Sequence, residues 1–143
     1  MRILPLAEFT SDFPEDGIED DDGVLQFGGR AVTEAIVDIL KGFGFRVSPP
    51  EYDEHGWGFD FYASERRFWC QVTALDTFLF SCDDVSRTLM DKILKRPPNA
   101  IYIDVMTRLG EALGRHPRFH HVRWYVDDSS RSPGAASPVK LDD

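Results

Sequence analysis

The sequence predicts an α+β fold: a mainly antiparallel sheet of four to five strands with two or three helices packed on one face. Three observations carry that expectation. Apolar residues recur at helical spacing in two stretches, near residues 32–43 and 101–113. Between them the period falls to two, through aromatic runs broken by short polar turns. Helical and extended patterns are also segregated, not alternated strand by strand, which favours helices layered on an antiparallel sheet. A length of 143 residues suits one domain. We place that domain at 1–127, with an acidic N-terminal segment at 1–29 inside it. Residues 128–143, rich in Ser, Pro, Gly and charge, read as a flexible C-terminal tail.

In chain order, Ile3, Leu4, Leu6 and Phe9 form a first apolar stretch. Asp12, Glu15, Asp16, Glu19, Asp20, Asp21 and Asp22 follow, with no Lys or Arg among them and with Pro14, Gly17 and Gly23 as punctuation. Such a run favours an extended loop over a helix, and Val24, Leu25 and Phe27 are expected to return the chain to the core. Val32, Ile36, Ile39, Leu40 and Phe43 predict a helix that Gly42 or Gly44 ends. Phe45 to Ser48 reads as a short strand stopped by Pro49 and Pro50. Trp57, Phe59 and Phe61 then alternate with Gly58, Asp60 and Tyr62. Across a turn at Ser64–Arg66, Phe68 to Leu75 is the antiparallel partner, and Thr77 to Ser81 is a third meander strand. A helix around Val85 to Lys95 is interrupted by Pro97 and Pro98. Ile101, Val105, Leu109 and Leu113 define a second amphipathic helix, closed by Gly114 and Pro117, and His121 to Val126 is the last strand.

The formal net charge of −9 bounds the partners. An excess of carboxylate repels nucleic-acid phosphate and anionic lipid at long range and attracts basic protein. We therefore expect a basic protein partner, no nucleic acid and no membrane. No apolar run is long enough to span a bilayer, and the N-terminus lacks the pattern of a secretory signal. Cys70 and Cys82 read as free thiols of a cytoplasmic protein.

Chemistry-bearing patterns are sparse. His116, His120 and His121 cluster in HPRFHH, but the last two would face opposite sides of a strand, which argues against one shared ion. Asp20, Asp22 and Gly23 begin like a calcium loop, yet Val24, Leu25, Gln26 and Phe27 withhold its later oxygens. Two surfaces stand out instead. One is the acidic run, joined by Glu51, Asp53 and Glu54. The other is the aromatic hairpin, where Trp57 or Trp69, rimmed by carboxylates, would make a binding hot spot.

Asp60 in one strand, Gln71-Val72-Thr73 on the next, and Glu34 on the preceding helix resemble the restriction-endonuclease-like (PD-(D/E)XK) superfamily, whose core runs helix, three strands, helix, strand. That resemblance implies a carboxylate, then Glu or Gln, then Lys two positions on, holding a divalent metal that activates water. Thr73 stands where the lysine belongs. We therefore expect no catalytic site, no metal and no cofactor. A metal-dependent nuclease, or its inactive descendant, centred on Glu34, Asp60 and Gln71, is the alternative. The stretches GGRAVTEAI, SPPEYDEHGWGFDF, RRFWCQVT and RFHHVRWY are also similar to a family of small acidic bacterial proteins that carries no assigned activity. In size, acidity and build the chain resembles, at the level of class, immunity proteins of bacterial toxin systems. The resulting expectation is a binding module of immunity or antitoxin type that occludes a basic partner, such as a toxin domain. Asp12 to Asp22 and Glu51 to Glu54 would steer the partner, and an exposed Trp57 or Trp69 would anchor it. Monomer and homodimer stay open.

Overall fold

The computed structural model of the chain describes residues 1–129 and 133–141. Its elements, in order, are β1 (Arg2–Ile3), β2 (Leu6–Ser11), β3 (Ile18–Asp20), β4 (Gly23–Gln26), α1 (Arg30–Gly42), β5 (Arg46–Val47), β6 (Glu51–Asp53), β7 (Gly56–Ala63), β8 (Arg66–Ala74), β9 (Phe78–Asp84), α2 (Leu89–Ile93), α3 (Ala100–Arg115), β10 (Phe119–Tyr125) and β11 (Val139–Lys140). The fold is α+β, with three helices among the described residues. Its main sheet has seven strands rather than four to five, in the order β10-β2-β9-β8-β7-β5, with β6 also pairing β7. Every pairing in it is antiparallel.

The meander forms where the two-residue period predicts it. β7 and β8 pair from Trp57 opposite Val72 to Ala63 opposite Arg66, across a two-residue turn in which Ser64 and Glu65 both take positive φ. Alternation then sorts the side chains. Phe59, Phe61, Phe68, Cys70, Val72, Phe80 and Cys82 are buried in one cluster with Ala7 and Phe9 of β2. Gly58, Asp60, Trp69, Gln71, Ser81 and Asp83 point the other way. Val32, Ile36, Val37 and Leu40 of α1, and Val105, Met106, Leu109 and Leu113 of α3, belong to the same buried cluster as Phe59 and Phe61. Tyr102 adds a buried hydrogen bond, its hydroxyl donating to the Cys82 carbonyl at 2.6 Å. Cys70 and Cys82 face each other across β8 and β9 as free thiols, and burial pushes the Cys70 thiol well up.

Three segments differ from, or add to, what the sequence offered. The first apolar stretch is an interior strand: β2 lies between β9 and β10, with Ala7 opposite both Phe80 and Trp124. The helix expected at 85–95 shrinks to the five residues of α2, because Asp84 extends β9 and Ser86 and Arg87 turn back on it. Within the segment read as a flexible tail, residues 133–141 make backbone contacts with the body, and residues 130–132 and 142–143 lie outside the described part. Ala135 bridges Trp124, β11 pairs with β1, and Leu4 donates its N–H to the Pro138 carbonyl at 2.7 Å. Pro138 seats on Gly110 of α3, where any Cβ would meet its ring at 2.5 Å.

Candidate protein-binding surface

The acidic run is a hairpin rather than a loop. β3 and β4 pair antiparallel around a turn at Asp21-Asp22, and the Asp20 carboxylate accepts the Asp22 N–H at 2.9 Å. Its carboxylates divide into two groups. Asp16 is structural: its oxygens accept the Gly29 N–H at 2.7 Å and the Ala31 N–H at 2.8 Å. It thereby caps α1, whose N-cap, Gly29, has no side chain to do so. Glu15 accepts the Gly17 N–H at 2.7 Å and sits over Gly28. Asp12 meets Arg118 at 3.1 Å and His120 at 3.5 Å. Desolvation works against the Asp12 anion, but these two partners hold its carboxyl below the usual range. Glu19, Asp20, Asp21 and Asp22 form the second group. They are exposed at the hairpin tip and make no ion pair among the described residues.

Apolar side chains accompany them. Val24, Leu25 and Phe27 do not return to the core: they are exposed by 52%, 62% and 44%, and Ile18 by 51%. This corrects the expectation for that segment. Between the hairpin and the β8–β9 turn lies a cleft of about 210 Å³, whose walls include Ile18, Val24, Phe27, Leu75 and the carboxylates of Glu15 and Glu19. Phe27 is held in place by its N–H, which donates to the Tyr52 hydroxyl at 2.9 Å. The sequence hint was the missing alternation: Val24 and Leu25 are adjacent, so on a strand they point to opposite faces and a strand covered on one face alone leaves one of them exposed.

A separate acidic stretch, Glu51, Asp53 and Glu54, sits on β6 and the turn after it. Asp53 accepts the His55 N–H at 2.7 Å and the Gln71 amide at 3.3 Å, Glu54 lies 3.6 Å from the His55 ring, and Glu51 is exposed. The two tryptophans differ. Trp57 is 6% exposed, packed by Tyr52 and by Arg30 over its ring, so it is not a surface anchor. Trp69 is half-buried on the other face of the sheet. Its ring lies across Gly58, where a Cβ would approach it to 2.5 Å, and its cross-strand neighbours are Asp60 and Asp83. Desolvation raises Asp83, with Lys92 opposing the shift.

Of the nuclease-like residues, Asp60 and Gln71 share one face of the β7–β8 pair but are engaged with other partners, and Glu34 lies apart from them. Asp60 pairs with Arg67 at 2.9 Å and Gln71 turns to Asp53, while Thr73 donates to the His55 carbonyl at 2.8 Å. Glu34 pairs with Arg30 on the exposed side of α1, whose buried side shares a cluster with Phe59 and Phe61, whereas Asp60 alternates with those residues and faces away. The sheet therefore separates Glu34 from Asp60. Among the described residues no three His, Cys, Asp or Glu side chains converge as a metal site would require. His116 accepts the Arg118 N–H at 3.1 Å, and a bulge at His121 leaves His120 and His121 both exposed.

One surface was not anticipated. α2 buries none of its residues, and Leu89, Met90, Ile93 and Leu94 are all exposed beside Lys92 and Lys95. No helix among the described residues is long and apolar enough to cross a membrane. No protein-family model, curated protein or solved structure matches this chain.

Proposed function

We propose that the chain is a cytoplasmic protein-binding module of immunity or antitoxin type, which occludes a basic partner, and that it is not an enzyme. The β3–β4 hairpin carries this reading: unpaired carboxylates at its tip sit beside exposed Ile18, Val24, Leu25 and Phe27. Exposed apolar residues of this density add nothing to the fold, and rimmed by charge they suit a protein interface. The carboxylates would speed encounter with a basic surface, and the apolar side chains would hold it. In the same reading α1 and α3 cover one face of the sheet, leaving Trp69 and its flanking carboxylates as a second contact. Nucleic acid and membrane are not the partners, since a chain of net charge −9 repels both. The separation of Glu34 from Asp60 disfavours the nuclease alternative.

The test is retention of a basic protein from the cell the chain comes from, with the retained protein then purified and titrated at stepped salt. The combined variant Glu19→Gln, Asp20→Asn, Asp21→Asn, Asp22→Asn is expected to lose affinity by at least about tenfold and to flatten the salt dependence. Unchanged affinity and salt slope would overturn the reading.

A further inference from the structure

The groove under the acidic hairpin and the exposed face of α2 carry opposite charge around matching apolar side chains, and we propose that each binds the other between two copies of this chain. In this dimer α2 of one copy lies on the β3–β4 hairpin of its partner, and the partner returns the same contact. The inference rests on the hairpin being a protein-binding surface, and it names a second copy as an occupant.

α2 is an unusual place for apolar residues. Leu89 is 73% exposed and Ile93 63%, although the segment is firmly built. Thr88 and Asp91 form a reciprocal capping box. Arg87 donates to the carbonyls of Asp91, Arg96 and Pro97, stapling the turn after the helix, and Arg96 pairs with Asp91 at 2.8 Å. The shape is thus fixed before any contact, which lowers the entropy lost on binding. Lys92 and Lys95 make no ion pair among the described residues. In a chain of net charge −9, residues 87–96 hold four cations and one carboxylate.

The hairpin groove is its converse. Ile18, Val24, Phe27 and Leu75 line it, with Glu15 and Glu19 at the wall, and its volume of about 210 Å³ falls below that of sites for drug-sized ligands. It suits one or two aliphatic side chains, the size of Leu89 and Ile93, with Lys92 and Lys95 reaching the tip carboxylates.

α2 cannot reach its own hairpin. The groove lies at the β8–β9 turn, and α2 follows the far end of β9, seven residues or roughly 20 Å of strand away. Two complementary patches at opposite ends of one strand are satisfied together when a second copy packs alongside in the reverse direction about a two-fold axis.

Sedimentation velocity and light scattering on the full chain test this over a concentration series at low and high salt. The mass is expected to move from one chain towards two with concentration, and back with salt. Glu19→Lys with Asp21→Lys, or Lys92→Glu with Lys95→Glu, should each weaken the dimer by at least about tenfold. An equal mixture of the two reversed variants should recover it as a heterodimer, because both contacts then pair opposite charges; unfolded variants could not do so. A one-chain mass at every concentration overturns the proposal, as does a mixture no heavier than its components. A one-chain protein that still retains a basic partner through the hairpin overturns self-association alone and leaves the functional reading standing.

Discussion

The β7–β8–β9 meander and the β3–β4 hairpin are built from the same antiparallel pairing and put it to opposite uses. In the meander, apolar side chains alternate into the core and charges find partners on both faces: Arg67 with Asp60 on the outward positions, and Arg66 with Asp84 at the end of the core-facing ones. In the hairpin all of β3 is exposed, apolar residues included, and the tip carboxylates make no ion pair among the described residues. A strand pair gains stability from what it covers, not from being paired. The meander therefore supplies core, and in the proposed reading the hairpin is the part left over for a partner.

The sharpest way to break this contrast is at Arg66. Asp84 is 2% exposed in its side chain and meets Arg66 at 2.6 Å, so Arg66→Ala would strand a buried carboxylate. A loss of about 3 kcal/mol is expected in urea unfolding, in line with other broken buried pairs. Tyr102→Phe leaves the Cys82 carbonyl without its donor and should cost about 1–2 kcal/mol by the same measurement. Asp16→Ala tests the carboxylate of the acidic run that caps α1. It removes the cap from α1 and should cost about 1 kcal/mol, with faster amide exchange in the first turn of that helix. Neutralising Glu19, Asp20, Asp21 and Asp22 together should leave stability within about 0.5 kcal/mol of the parent, since these are surface positions that make no ion pair among the described residues and Asp20→Asn keeps an acceptor for the Asp22 N–H. A large loss there would erase the distinction between the two regions. The smallest effect concerns pH. Asp91 is held at about 2 by hydrogen bonds from the Thr88 backbone and hydroxyl and by Arg96. Folding depresses this group, so its contribution is complete above the ordinary carboxylate value of 3.8 and is lost as pH falls through about 2. The Thr88 amide resonance, followed by NMR, should move in that window and not at pH 4–5.

The helices and the meander were legible in the sequence because their signals are local: Val32, Ile36 and Leu40 repeat along one helix face, and Phe59 and Phe61 alternate along one strand. β2 was not. Its neighbours come from residues 78–81 and 119–125, and nothing within Leu6–Ser11 names them. The return of Pro138 to Gly110 was hidden for the same reason. Charge was legible only in sum. That Asp16 caps a helix while Asp21 stands free depends on where the chain carries each carboxylate, and both residues read alike in the run from 12 to 22. Trp57 and Trp69 were likewise two exposed candidates until pairing assigned them to opposite faces.

That assignment of tryptophans gives the protein its own optical reporter. Trp57 and Trp124 are buried, at 6% and 1% exposure, and Trp69 lies across Gly58 on the opposite face of the sheet. Emission excited at the indole band is then a sum of two shielded sources and one that meets solvent. A partner settling on the sheet should shift that third source to shorter wavelength and hide it from quenching by iodide. A partner that grips the hairpin tip alone should leave the spectrum where it was, so a single fluorescence titration separates the two docking modes before any complex is crystallised.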